Sequence, residues 1–284
     1  MPTLIVVAHG TRSPTGQAQI RDLVARVARR RPGLDVRLCY ADVQQPRIAE
    51  VAQQTPGAVV VPLLLSAGYH VRVDIADAVA GRDIPVSRPL GPDDVLRDSL
   101  LRRLPPASAA MPVDAVVLAA AGSSDSAWRA DVEALAADLE YRTNAALSPR
   151  SPVRHRHPLP PGLERPDQPT RFRDGEPESS TGRRGDTLTV DNPRTPVRIG
   201  YVSGPGPRVA DVVAELRQGG ARRVAIAAYL LADGLFYRRL GETGADHVTP
   251  PLCLDPVVTE LVLRRFDEVV ATASAQRLGS APRG

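Results

Sequence analysis

The chain has 284 residues, with 36 basic against 32 acidic side chains, five histidines, 43% hydrophobic residues and 4% aromatics. Every basic residue is arginine, which excludes a P-loop, a protein kinase and lysine Schiff-base chemistry, since each needs a primary amine. No run of eighteen apolar residues is present, so no membrane span is expected, and so few aromatics argue against stacking on single-stranded nucleic acid.

Residues 3–8 form a continuous apolar run, the pattern of a strand buried on both faces. Residues 14–30 carry Ile20, Leu23, Val24 and Val27 at helical spacing, with Gly33 as a stop signal. Next come a strand at 36–40, a short helix at 46–54 opened by Pro46, and a strand at 58–65 interrupted by Pro62. A helix at 71–80, a short fourth strand at 84–87 and a closing helix at 93–104 complete the first half. The second half reads as strand 115–120, helix 126–142, strand 197–202, helix 207–218, strand 223–230, a helix near 236–243 and a helix at 255–270. Strands alternating with helices imply parallel sheets covered on both faces. Cys39 and Cys253 are far apart and form no metal or redox motif; both read as small buried apolar residues.

The two halves are copies. LIVVAHGTRS (4–13) returns as AVVLAAAGSS (115–124), and VRLCYADVQQPRIAEV (36–51) as VRIGYVSGPGPRVADV (197–212). VVVPLLLSAGYH (59–70) returns as RVAIAAYLLADGLF (223–236), and PLGPDDVL (89–96) as PLCLDPVV (251–258). The offset is 112 from His9 to Ala121 and 161 to 166 in the other blocks, so the second copy gained about 49 residues after its first strand. That segment, 148–196, is rich in Pro, Arg, Gly, Ser and Asp and too poor in apolar surface to order itself; it is expected to be a disordered insertion. His155 and His157 within it read as part of a solvated basic patch rather than a metal-collecting tract. The expected fold class is α/β: two tandem flavodoxin-like lobes with parallel sheets, facing each other across a cleft. The N-terminal lobe spans 1–107; the C-terminal lobe spans 112–272 and is interrupted by the insertion.

Ligands of open α/β sheets gather beyond the carboxyl ends of the strands. His9 ends the first strand, Asp42 follows the second, and His70 lies five residues past the third. The second copy has Ala121, Ser203 and Phe236 at these places. Two imidazoles and a carboxylate suit a divalent metal such as Fe²⁺, Co²⁺ or Ni²⁺, and three protein ligands leave open positions for exchange. Taken singly, each histidine also reads as a hydrogen-bonded structural residue and Asp42 as a helix cap. Their joint loss from a recognisable duplicate favours chemistry, because packing residues would usually survive in both copies.

AHGTR near the start, followed by PLLLSAGYHVRVDI, resembles the class II tetrapyrrole chelatases and, more narrowly, the sirohydrochlorin chelatases. YLLADGLFYRRLGETGADHVTPPL resembles the degenerate half of their fused two-lobed form. The resemblance implies insertion of Fe²⁺ into sirohydrochlorin to give sirohaem, or of Co²⁺ on the way to cobalamin. It implies no organic cofactor and no ATP, the divalent metal being a substrate. His9 and His70 match the family's two metal-binding histidines, the expected catalytic pair; Asp42 stands where the family usually has glutamate, one methylene shorter. Arg12, Ser13, Ser66, Gly68, Tyr69 and Arg72 are candidates by position for holding the carboxylates of the macrocycle. Arg12 and Arg72 read equally well as solvated charges at helix starts. A non-catalytic metal or tetrapyrrole carrier remains the alternative to an enzyme. No nucleic-acid partner is expected. Two fused lobes can form a cleft within one chain, so a monomer is expected, with a homodimer as the alternative. No signal peptide precedes the first strand, so a cytoplasmic location is expected.

Overall fold

The computed structural model describes residues 2–66, 69–106, 112–123, 125–147 and 194–279; the side chains of 69–72, 146–147 and 276–279 fall outside the description. Strand β1 (Thr3–Ala8) is the centre of a three-stranded parallel sheet, flanked by β2 (Asp35–Tyr40) and β3 (Val59–Pro62) in the order β2-β1-β3. The second sheet repeats this around β4 (Ala115–Ala120), with β5 (Val197–Tyr201), β6 (Val224–Tyr229) and an added edge strand β7 (His247–Val248), in the order β5-β4-β6-β7.

Side-chain alternation on the central strands explains the layering. Leu4, Val6 and Ala8 of β1, and Val116, Leu118 and Ala120 of β4, share one continuous core. Ile5 and Val7 face a separate outer cluster with α2 (Ile48–Gln54) and α3 (Tyr69–Val79). Val117 and Ala119 face another with α6 (Val209–Gln218) and α7 (Leu235–Leu240). Between the sheets lie α1 (Pro14–Arg30), α4 (Asp94–Arg103), α5 (Ser126–Leu147) and α8 (Pro256–Gly279). α1 forms where expected. Ser13 caps it by accepting from the Gly16 amide, Pro14 fits the first turn, and Ile20, Leu23 and Val27 bury one stripe.

The closing helices are exchanged between the halves. α4, from the first half of the chain, packs on β6 and α5; α8 packs on β3 and α1. The capping aspartates of these helices are held reciprocally. Asp93, which accepts from the Val95 amide (3.0 Å), also accepts from Arg264 (2.6 Å) and Arg265 (2.7 Å) of α8. Asp255, which accepts from the Val257 amide (3.1 Å), also accepts from Ser99 (2.6 Å) and Arg102 (3.1 Å) of α4. Arg265 donates to the Pro89 carbonyl and Arg103 to the Pro251 carbonyl. Apart from Ser99, whose counterpart is Leu261, each partner stands 162 positions from its equivalent, so the interface joins the same patch to itself, as two-fold symmetric dimers do.

Several expectations are corrected. The strand expected at 84–87 is a single parallel bridge, Val60 to Val86; Pro85 has no amide to extend it. β3 stops at Pro62 instead of running to 65. Pro46 lies before α2, whose cap is Arg47, and the Pro46 carbonyl accepts from the Tyr40 amide. β7, two residues long, carried too little pattern to be foreseen. The closing helix of the first half covers the sheet of the second. Residues 194–196 belong to the folded lobe: Thr195 is buried and exchanges hydrogen bonds with Asn144. The rest of the segment expected to be disordered, with His155 and His157, lies outside the described residues. Among the described residues no helix is long and apolar enough to cross a membrane. Cys39 and Cys253 are both buried, and burial pushes their thiols up to about 12 and about 11.

Candidate functional site

β1 delivers His9. Ala8 pairs with Tyr40 on one side and Val7 with Pro62 on the other; the chain then leaves the sheet and exposes His9. Gly10 turns it at φ +100°, where a side chain would overlap the Asp42 carbonyl. The same turn brings the second strand's end alongside, and the Asp42 amide donates to the His9 carbonyl (3.1 Å). Asp42 is exposed. Its carboxylate accepts from Arg47 (3.1 Å), and Gln44 holds the loop by accepting from the Thr11 amide (2.9 Å). The Val43 amide, then the Arg47 guanidinium, hold the Asp42 carboxyl below the ordinary carboxylate range, and the charge of nearby His9 adds to this. Val43 adopts φ +63°, a costly conformation for a β-branched residue.

The sister strand reproduces this down to its hydrogen bonds. β4 ends at Ala120, Gly122 turns at φ +98°, and the Ser203 amide donates to the Ala121 carbonyl (2.9 Å). Ala121 thus occupies the backbone position of His9, and Ser203 that of Asp42. The Ser203 hydroxyl donates to the Ala121 carbonyl (2.7 Å). His70 is the second residue of α3, as Phe236 is of α7. The side chains of His70, Tyr69 and Arg72, and Gly68 altogether, lie outside the described residues.

These ends open on a cavity of about 740 Å³ between the sheets. Its wall includes His9, Gly10, Thr11 and Ser66 from one half, and Ala121, Trp128, Tyr229, Asp233 and Phe236 from the other. The volume lies within the range of small-molecule sites, about 300–1,000 Å³. The wall is largely apolar, and two contacts across it fix the halves. Tyr229 donates to the Leu65 carbonyl (2.8 Å), and burial pushes its phenol up. Ser13 donates to Asp233 (3.2 Å).

Of the residues foreseen from sequence, the structure brings His9 and Asp42 together and sets Ser66 in the wall. Arg12 is exposed and is not part of the wall. Ser13, 3% exposed, caps α1 and bonds Asp233 instead of facing the cavity. Among the described residues no three His, Cys, Asp or Glu side chains converge as a ligand set; the expected third member, His70, is not among those described. Asp233 was not foreseen. It stands where the first copy has Ala67, and a carboxylate gained in the half that lost its imidazoles was the available signal.

A family model described as CbiX matches residues 3–107 and 173–269. The chain belongs to the CbiX family of sirohydrochlorin chelatases. Among curated proteins, a sirohydrochlorin cobaltochelatase of Methanococcoides burtonii is 23% identical over 120 residues, spanning 35% of this chain and 92% of that protein. Among solved structures, SirB from Bacillus subtilis with Fe³⁺ is 18% identical, with a TM-score of 0.62 over 97% of this chain and 98% of that one. A CbiX described as the terminal enzyme of sirohaem biosynthesis in denitrifying bacteria is 18% identical, with a TM-score of 0.55 over 94% and 99%. The α/β fold with two parallel sheets is therefore the family's fold.

Proposed function

We propose that this protein inserts a divalent metal, Fe²⁺, into sirohydrochlorin to form sirohaem, using His9, His70 and Asp42 as the metal's ligands. The observation that carries the reading is His9 on the wall of an inter-sheet cavity whose sister position is Ala121. Metallation replaces two pyrrole N–H protons with the metal. The protein must hold the ion, hold the ring and let two protons leave. Neutral imidazoles bind such metals and also titrate near neutral pH. Asp42, kept ionised beside His9, supplies a hard oxygen and charge balance. The ring enters the cleft with Ser66 at its rim. Tyr69 and Arg72 are assigned the same role from their place at the start of α3, and Gly68 from its position in the sequence just before Tyr69. Co²⁺ is the second reading, favoured by the curated relative's name and by a SirB structure in complex with cobalt. Fe²⁺ and Co²⁺ accept similar ligands, so the same site serves either.

The test is absorbance-monitored metallation with the protein far below sirohydrochlorin, with Fe²⁺ and Co²⁺ in separate and competing assays. Many turnovers per chain are expected, and a stop at one equivalent would mean a carrier. His9→Ala is expected to abolish insertion and keep the fold, because Ala121 fills the equivalent place. Turnover by that variant near the wild-type rate would refute the role of His9.

A further inference from the structure

Among the described residues lining the cavity, the only imidazole is His9, from one half, and the only carboxylate is Asp233, from the other. Both therefore share one wall, and the loop carrying Asp233 packs on the segment that follows His9. That loop is fixed. The Asp233 amide donates to Gln19 Oε1 (2.7 Å), and a Cβ on Gly16 would overlap the Asp233 carbonyl. One carboxylate oxygen, Oδ1, accepts from Ser13 (3.2 Å) and from Arg238 Nε (3.2 Å); Oδ2 accepts no hydrogen bond from a described residue. The side chain is 22% exposed. The charged or titratable groups near it are Arg238 and Tyr237 of the following helix α7, with His9 on the same cavity wall. The start of α1 presents only neutral Ser13 and Gln19, with Thr11 beside Gly234.

We propose that Asp233, on the part of the cavity wall given by the half without the metal ligands, is a proton acceptor for the macrocycle. The inference rests on the chelatase reading. As a metal–nitrogen bond forms, one pyrrole N–H bond breaks and its electron pair stays on nitrogen. The proton passes to the Asp233 carboxylate, which releases it to water at the mouth of the cleft. The second proton leaves to water on the side of His9. A ring filling this largely apolar cavity displaces water from the wall around Asp233, whereas His9 is exposed to it. A preset carboxylate then acts without reorganising.

The experiment is steady-state Co²⁺ insertion into sirohydrochlorin by the full chain. Asp233→Asn keeps an oxygen for Ser13 and removes the base. Its kcat is expected to fall by at least about tenfold, as loss of a general base does, with KM for the macrocycle within about threefold. Asp233→Glu, or formate added to Asp233→Asn, is expected to restore part of the loss. Arg238→Gln removes one tether and leaves the carboxylate, and its kcat is expected to stay within about threefold of wild type. Asp233→Asn retaining wild-type kcat would overturn the proposal. So would Arg238→Gln falling as far as Asp233→Asn with no rescue by formate, which is the signature of a tether. If the wild-type chain inserts no metal, the chelatase reading fails first and this inference with it.

Discussion

Replacing Arg265 by alanine tests whether the exchanged helices hold the two halves together. Arg265 is 0% exposed. It donates to the Pro89 carbonyl (2.9 Å), the Leu90 carbonyl (2.8 Å), Asp93 (2.7 Å) and Glu268 (3.2 Å). Truncation leaves two carbonyls without a donor, at about 1–3 kcal/mol each. Asp93 keeps Arg264 and the Val95 amide, so its charge is not stranded. The expected loss is about 4 kcal/mol, within the range for breaking a buried ion pair. With a urea m-value of about 3 kcal/mol/M, the midpoint should fall by about 1.3 M. Far-UV circular dichroism of the full chain should show one transition, since the core is continuous across both halves. The counterpart Arg103 is 16% exposed and sits 3.5 Å from an Asp255 that Ser99 and Arg102 also hold. Arg103→Ala should therefore cost less, about 1–2 kcal/mol. Equal losses at the two sites, or less than about 1 kcal/mol at Arg265, would refute the reasoning.

Stability should fall in acid through the same aspartates. Burial opposes ionisation of Asp93, but Arg265, the Val95 amide and Arg264 outweigh it and hold the carboxyl below its ordinary range; Asp255 is depressed likewise, against its own burial, by Ser99, the Val257 amide and the arginines of α4. A carboxyl depressed in the folded state contributes stability that is complete above its unfolded pKa, about 3.9, and is lost as pH falls through its folded value. Asp93→Asn should flatten that acid limb in urea titrations; an unchanged limb would exclude Asp93 as a source. Gly10→Ala should cost more than about 2 kcal/mol, since it combines positive φ with overlap against the Asp42 carbonyl, and should reduce metal affinity by separating Asp42 from His9. Wild-type stability and affinity in that variant would contradict the described turn.

The duplication made the fold legible. β1, β2 and α1 fall within a residue or two of expectation because the buried strands are unbroken apolar runs and Ser13 and Pro14 mark a helix start. The offset of 112 from His9 to Ala121 reappears as matching glycine turns, and the 166 from His70 to Phe236 as matching helix starts. The exchange of α4 and α8 was hidden, because an amphipathic stripe such as that of Leu96 and Leu100 tells that a helix is buried and not on which sheet. Yet the signal was present in the repeat: Asp93 and Asp255 each need a cation, and Arg102–Arg103 recur as Arg264–Arg265. At the site, Ser13 shows that one position can carry two demands. A residue just past a strand's carboxyl end also begins the next helix, and the unpaired amides there claimed its hydroxyl first. Asp233 escaped notice because the second copy was read for what it had lost.

The central claim is that one half kept a metal site on the cavity wall. Anomalous diffraction from a crystal of the full chain soaked in Co²⁺ tests it most directly. The account predicts a peak at the cavity, about 2.1 Å from a ring nitrogen of both His9 and His70. A peak bound elsewhere, with the His9 ring turned from the cavity, would contradict it.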